Sequence, residues 1–442
     1  MRKILNRTEI QELVEKYPSM EDVVNHKGTI GDYYMPFTKV LNPFDEARQK
    51  KMINAVCQVA GSTFGKDSQE VIRKSLYKNF MVSTAEHHAS ITYSETLNIL
   101  LNQFIVQEHH QLPLISLSCA TVPLDNGLYP RGVFYKNKKI PFLSAKYNNN
   151  FVYKSSSINP SRFYDKIKSL VKEKEITAEE EKMLDEWFGR KYKELDLDKV
   201  LLLRDQISIL NKKLWKELID IDLSYSGCDY YMIPSEKVAE LLFIEDSNSD
   251  EPSWIYQTLF EEKSCERLLN TLDGIRLCWD LKNKKGTFLF WGFTAGDKPV
   301  ALFLKDNFLI SSCESVRIQF SPDSIVQALK EERLVPASIL FFLYAVFYAG
   351  LICFGGILQI NYLREIQEQL ISNNPLNLSE FDLAIIKETP TNRYVNFQEL
   401  LPWTGSGLER FSVPMMRKDF DNYKSQDHFS QIQECLEYLY NI

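Results

Sequence analysis

Two adjacent histidine pairs, His87-His88 and His109-His110, hold four of the six histidines of the chain within 24 residues. Imidazole titrates near neutral pH, so a histidine facing a pocket can give or take a proton with little tuning, provided a second group fixes its tautomer. Neighbouring loop residues point in different directions, so one member of His87-His88 is expected to face a pocket while the other packs. Seven or eight positions further on, Glu95 stands in the first turn of an expected helix. There the peptide dipole favours a carboxylate, and partial burial would raise its pKa toward neutrality.

Two arginines complete the candidate site. Arg73 lies on the preceding helical stretch, and Arg131 sits in the Pro130-Arg131-Gly132 turn, where a rigid backbone could present it to an anionic group. The roles expected are Glu95 as general base, His87 or His88 as its acid or polarising partner, and Arg73 or Arg131 as substrate anchor. Such groups suit proton abstraction or condensation on an amine or carbonyl compound, with no cofactor. The plainer alternative has Glu95 stabilising its helix start and Arg73 solvated.

Other chemistries compete for the same residues. His87, Glu95 and His109 could gather around zinc for a metal-dependent hydrolase, as could the His87-His88 pair, but the H-E-x-x-H spacing is absent and no metal is expected. His109 and His110 fall at a helix end, where an imidazolium would complement the dipole. Cys119, at the end of the strand pattern LISLSCATV, could be a nucleophile if exposed near a histidine, and is otherwise a buried thiol. No G-x-S-x-G elbow or phosphate-binding loop is present, and neither GSG at 405–407 nor AGDKP at 295–299 has the required context. Tyr394 and Trp403 could line an aromatic pocket or belong to the core. A non-enzymatic protein docking a partner through its helical 160–220 region is the rival from a different class.

Bulk properties narrow the setting. A net charge of -7 over 442 residues argues against nucleic acid as partner, and the basic runs at 136–139 and 282–286 read as solvated turns. Eight scattered cysteines without C-x-x-C spacing, and an amphipathic start without an apolar leader core, point to a reducing cytoplasm. The charge-free run 334–363 is long enough to cross a bilayer, but Gly350, Gly355 and Gly356 interrupt it. It is read as a buried core helix opened by Pro336 and broken near Gly355, then an amphipathic helix, with no membrane contact. The expected partner is a small-molecule substrate, and a homodimer is admitted.

The elements that must position these residues alternate in period. Helical spacing runs from residue 8 to about 110, with Asp45 and Asp67 as N-caps and a helix over 95–108. Strand patterns begin at 114–122, and 122–144 supplies turns and two further short strands. Lysine- and glutamate-rich helices fill 159 to about 221, the polar 246–252 stretch reads as a linker, and aromatic strands around Gly296-Asp297-Lys298-Pro299 could extend the first sheet. The fold class is therefore α/β, or mixed α+β. A helical N-terminal region would pack on a mixed or antiparallel sheet, with a helical insertion, in three stretches at 1–158, 159–245 and 246–442.

Overall fold

The computed structural model describes residues 5–40, 45–92, 94–136, 138–220, 229–395 and 415–440. The α/β class holds, and the two strand senses are segregated into separate sheets. Four strands, Met81–Ser83, Leu114–Ser118, Tyr230–Pro234 and Ile352–Phe354, form a wholly parallel sheet. Counted in chain order, they lie fourth, first, second, third. The chain thus steps outward from the first strand to the third, then returns to the far side of the first. Each of the three stretches distinguished in the sequence contributes to this one sheet.

Alternation along the strands divides the interior in two. Met81, Leu114, Met232 and Ile352 face one core, while Val82, Ile115, Ile233 and Cys353 face the other. Successive strand side chains point to opposite faces, so a sheet covered by helices on both sides needs apolar residues at every position. The first core takes the helix Ser94–His110 and the helices Pro160–Lys172, Ala178–Glu194 and Leu203–Leu218. Glu46–Phe64, Lys66–Lys78 and Ser235–Ser247 cover the second. The helix over 95–108 is thus observed at Ser94–His110. Asp45 caps Glu46–Phe64 by accepting the Ala47 and Arg48 N–H groups. Asp67, by contrast, lies within the first turn of its helix, which Gly65 opens at φ +87°.

The aromatic strands do not extend the parallel sheet. They build a separate antiparallel sheet of five, with Pro299–Lys305 at its centre and Leu334–Pro336 on one edge. The charge-free run also differs from the expected single helix. It folds as the strand Leu334–Pro336, the short helix Ser338–Phe342, a wider-wound turn over Leu343–Tyr348, the fourth parallel strand and the start of Ile357–Ile371. Gly350 adopts φ +70°, which lets the chain reverse between the helical turn and the strand. No helix among the described residues is long and apolar enough to cross a membrane. Residues 246–252 also differ from a free linker, because buried Asp246 accepts the Ser253 N–H at 3.2 Å and pairs with Lys51 at 2.5 Å.

Candidate active site

Open parallel sheets bind ligands beyond the carboxyl ends of their strands, near the point where strand order reverses. Here that point lies between the first and fourth strands. Gln359 bridges it, donating from Nε2 to Thr84 Oγ1 at 2.7 Å, while the Thr84 N–H binds Phe354 O at 2.8 Å. A Cβ at Gly355 would stand 2.2 Å from the Gln359 side chain, so only glycine lets Gln359 fold back over the strand end.

Both members of the first histidine pair emerge at this edge. His88 N–H binds Cys119 O at 2.8 Å, and Cys119 N–H binds Glu86 O at 3.0 Å, so the chain segments that follow the first two strands pair again at His87. The two imidazoles then part, as adjacent residues must. His88 is fully buried, with Nε2 2.7 Å from Arg204 O and Nδ1 2.8 Å from Ser118 Oγ. A carbonyl oxygen only accepts, so Nε2 carries the proton and Nδ1 accepts from the Ser118 hydroxyl. Burial draws the His88 pKa down to about 4, which keeps the ring neutral. His88 thereby ties the histidine loop to the helix Leu203–Leu218. Asn211 on the same helix reinforces the tie, accepting from Ile91 N–H at 3.0 Å and donating to Ala89 O at 2.8 Å.

His87 faces outward and is exposed. Protein packed around its inner side draws its pKa below the ordinary value, but solvent reaches the ring, and that access governs whether it can exchange a proton. Asn126 lies 2.8 Å from Nδ1. The Asn126 oxygen is committed to Leu128 N–H at 2.9 Å, so the group facing His87 is the amide NH₂. It donates to a bare Nδ1, and the neutral ring carries its proton on Nε2.

Two buried carboxyls, Glu86 and Glu236, hold this arrangement and carry no sequence motif. Glu86 accepts from Ser83 Oγ at 2.6 Å and from Ser116 Oγ at 2.9 Å, which joins the first two strands beneath the histidines. Glu236, in the first turn of Ser235–Ser247, gathers three donors on Oε1: Ala120 N–H at 2.8 Å, Thr121 N–H at 2.7 Å and Thr121 Oγ1 at 2.8 Å. Burial raises the pKa of both, against the hydrogen bonds that favour their ionised forms. Glu236 thus fixes residues 120–121, these fix Cys119, and Cys119 fixes the backbone on both sides of His87.

The helix Ser94–His110 runs from this edge back to the second strand, so the backbone of Glu95 lies at its carboxyl-edge end; the Glu95 side chain lies outside the described residues. Arg73 is engaged on the helical layer, donating to Asn54 Oδ1 at 2.6 Å and lying 4.0 Å from Glu70. Arg131 shares the Asn126 loop, with its guanidinium 3.3 Å from Leu143 O and 5.3 Å from the Tyr129 ring. Cys119 packs by Ser338 and Thr121, and burial beside Glu236 pushes its thiol up to about 12, which removes the activated thiolate a nucleophile needs.

His109 and His110 close the far end of their helix, before the second strand. One strand length, roughly 15 Å at about 3.3 Å per residue, therefore separates them from His87, too far for a shared ion. His110 Nε2 lies 2.6 Å from Thr38 O, and burial lowers its pKa, so it serves through that hydrogen bond rather than as an imidazolium. Among the described residues, no three His, Cys, Asp or Glu side chains are grouped to hold a metal. Tyr394 is buried beside Gly355, and Trp403 and 405–407 lie outside the described residues. The chain matches no known family model and no curated protein.

Proposed function

We propose that the protein is an acid-base enzyme of small-molecule metabolism, abstracting a proton from, or condensing, an amine or carbonyl compound without a cofactor. The observation that carries this reading is His87, an exposed imidazole at the carboxyl end of a parallel sheet, with its tautomer set by Asn126. A neutral ring bearing its proton on Nε2 is a hydrogen-bond donor. It would polarise a carbonyl oxygen and stabilise the negative charge that gathers there as a neighbouring C–H bond loses its proton. Glu95 would receive that proton, and Arg131, on the loop that orients His87, would hold an anionic part of the substrate. His88 acts in this reading as a positioning residue. The described cysteines are free thiols, which supports a cytoplasmic setting, and the net charge of -7 favours a small-molecule partner over nucleic acid.

Solvent isotope exchange tests the reading across the whole compound class at once. A pool of small carbonyl and amine compounds is incubated in D₂O with the protein, with the His87→Gln variant, or with neither. Deuterium entering one compound with the native protein alone supports the proposal. Equal incorporation in all three, across the pool, refutes it.

A further inference from the structure

A second cluster of reactive side chains lies at the opposite, amino-terminal edge of the same sheet. Lys212, on Leu203–Leu218, brings Nζ to 2.9 Å from Ser68 Oγ and 3.4 Å from the Tyr231 hydroxyl. The amine also stands 4.4 Å from the Tyr231 ring centre and 5.6 Å from that of Phe64. Asp229 is the nearby carboxylate, but Lys216 takes it at 2.5 Å and the Tyr231 hydroxyl donates to it at 2.8 Å, leaving Lys212 3.7 Å away. The surroundings of Lys212 are therefore two neutral hydroxyls, two rings and a carboxylate that it shares with Lys216 and the Tyr231 hydroxyl. Burial lowers the Lys212 pKa, with Lys216 acting in the same direction and Asp229 against.

Access is present on one side. The Lys212 side chain keeps 26 % of its surface exposed. Gly65, Lys66 and Asp67 beside Ser68 are exposed, and a Cβ at Gly65 would meet nothing within 4 Å. Lysines whose role is surface charge differ in exposure: Lys74, Lys182 and Lys199 are 76 %, 78 % and 70 % exposed.

We propose that Lys212 is a carbonyl-reactive amine that forms an imine with an aldehyde or ketone, whose apolar part lies against Tyr231 and Phe64. The neutral amine adds its electron pair to the carbonyl carbon, and the carbonyl pair moves onto oxygen. Ser68 or Tyr231 relays one nitrogen-bound proton to that oxygen. The second nitrogen-bound proton then leaves together with that hydroxyl as one molecule of water, which leaves the C=N bond; the same water reverses the step, so no redox partner is needed. Tyr231 lies near the start of its strand and Glu236 beyond its end, so this site is independent of the His87 reading.

Borohydride trapping tests it. The whole protein is incubated with benzaldehyde at pH 7, reduced with sodium borohydride and mapped by peptide mass spectrometry. Because a lowered pKa enlarges the neutral amine fraction at pH 7, Lys212 should be labelled in clear excess over Lys74, Lys182 and Lys199, and the excess should shrink at pH 10. The Ser68→Ala variant should slow labelling at Lys212 without changing that of the three reference lysines. Labelling of Lys212 at or below the reference level in the native protein overturns the proposal, whatever the variant does.

Discussion

Asn126 donates its amide N–H to Nδ1 of His87 at 2.8 Å while its own oxygen accepts the Leu128 N–H at 2.9 Å. The second bond fixes the orientation of the amide, and the amide fixes which nitrogen of His87 bears the proton. A loop residue 39 positions away thus makes an exposed imidazole a donor rather than a base.

Exchanging that donor for an acceptor should reverse the role. In Asn126→Asp, one carboxylate oxygen still accepts Leu128 N–H, while the other faces His87 and draws a proton onto Nδ1. The neutral ring then presents a bare Nε2, and the carboxylate favours the imidazolium. NMR titration should show the His87 pKa rising by about one unit or more. An unchanged or lower pKa would argue against a proton on Nε2 in the native ring.

His88 should make the fold acid-sensitive. Its folded pKa, about 4, lies below the ordinary 6.5, so the unfolded chain binds the proton more readily between those values. Its stabilisation is complete above about pH 6.5 and is lost as pH falls toward 4, by on the order of 3 kcal/mol at about 1.4 kcal/mol per unit. Buried His428, also drawn down to about 4, acts in the same window. Denaturant midpoints should fall across that range, and His88→Gln should flatten the fall while lowering stability at pH 7. Equal pH slopes in the two proteins would show that His88 is not held neutral.

Glu86 should act in the opposite direction. Its folded pKa is raised, so the native state holds the proton more tightly, and stability falls as pH rises from the unfolded carboxylate value through the folded one. Glu86→Gln removes that titration. The variant should gain stability relative to the native protein as pH rises above the ordinary carboxylate value of 4.5, read as a narrowing or reversed gap in urea midpoints. A gap independent of pH would mean that Glu86 titrates alike in the folded and unfolded states.

Thiol mapping distinguishes a protonated, half-buried Cys119 from an activated one. Exposed Cys313 is lowered to about 7 by the serine and backbone groups of its turn, whereas burial pushes Cys119 up to about 12. Among the six described cysteines, iodoacetamide at pH 7.5 should modify Cys313 first and leave Cys119 intact. Preferential alkylation of Cys119 would restore it as a nucleophile.

What the chain reveals locally and what it conceals have physical causes. The helix Ser94–His110 and the strand Leu114–Ser118 show their periods locally, and the doubled histidine marks the edge where they meet. Met81–Ser83 and Ile352–Phe354 have three residues each, too few to reveal a two-residue period, and the latter lies inside a uniformly apolar run. Glu86 and Glu236 give no local signal because their partners lie up to 30 and 116 positions away, so nothing near them distinguishes them from surface glutamates. The division of labour between His87 and His88 is equally hidden, since Arg204 and Asn126 decide it from distant elements.

Nitrogen-15 NMR of the imidazole ring of His87 tests the central claim most directly. At pH 7 the expected result is a neutral ring with hydrogen coupled to Nε2, a bare Nδ1 shift, and a midpoint below the ordinary 6.5. A proton on Nδ1, or a ring still charged at pH 7, would contradict it and remove His87 as the group that polarises a substrate.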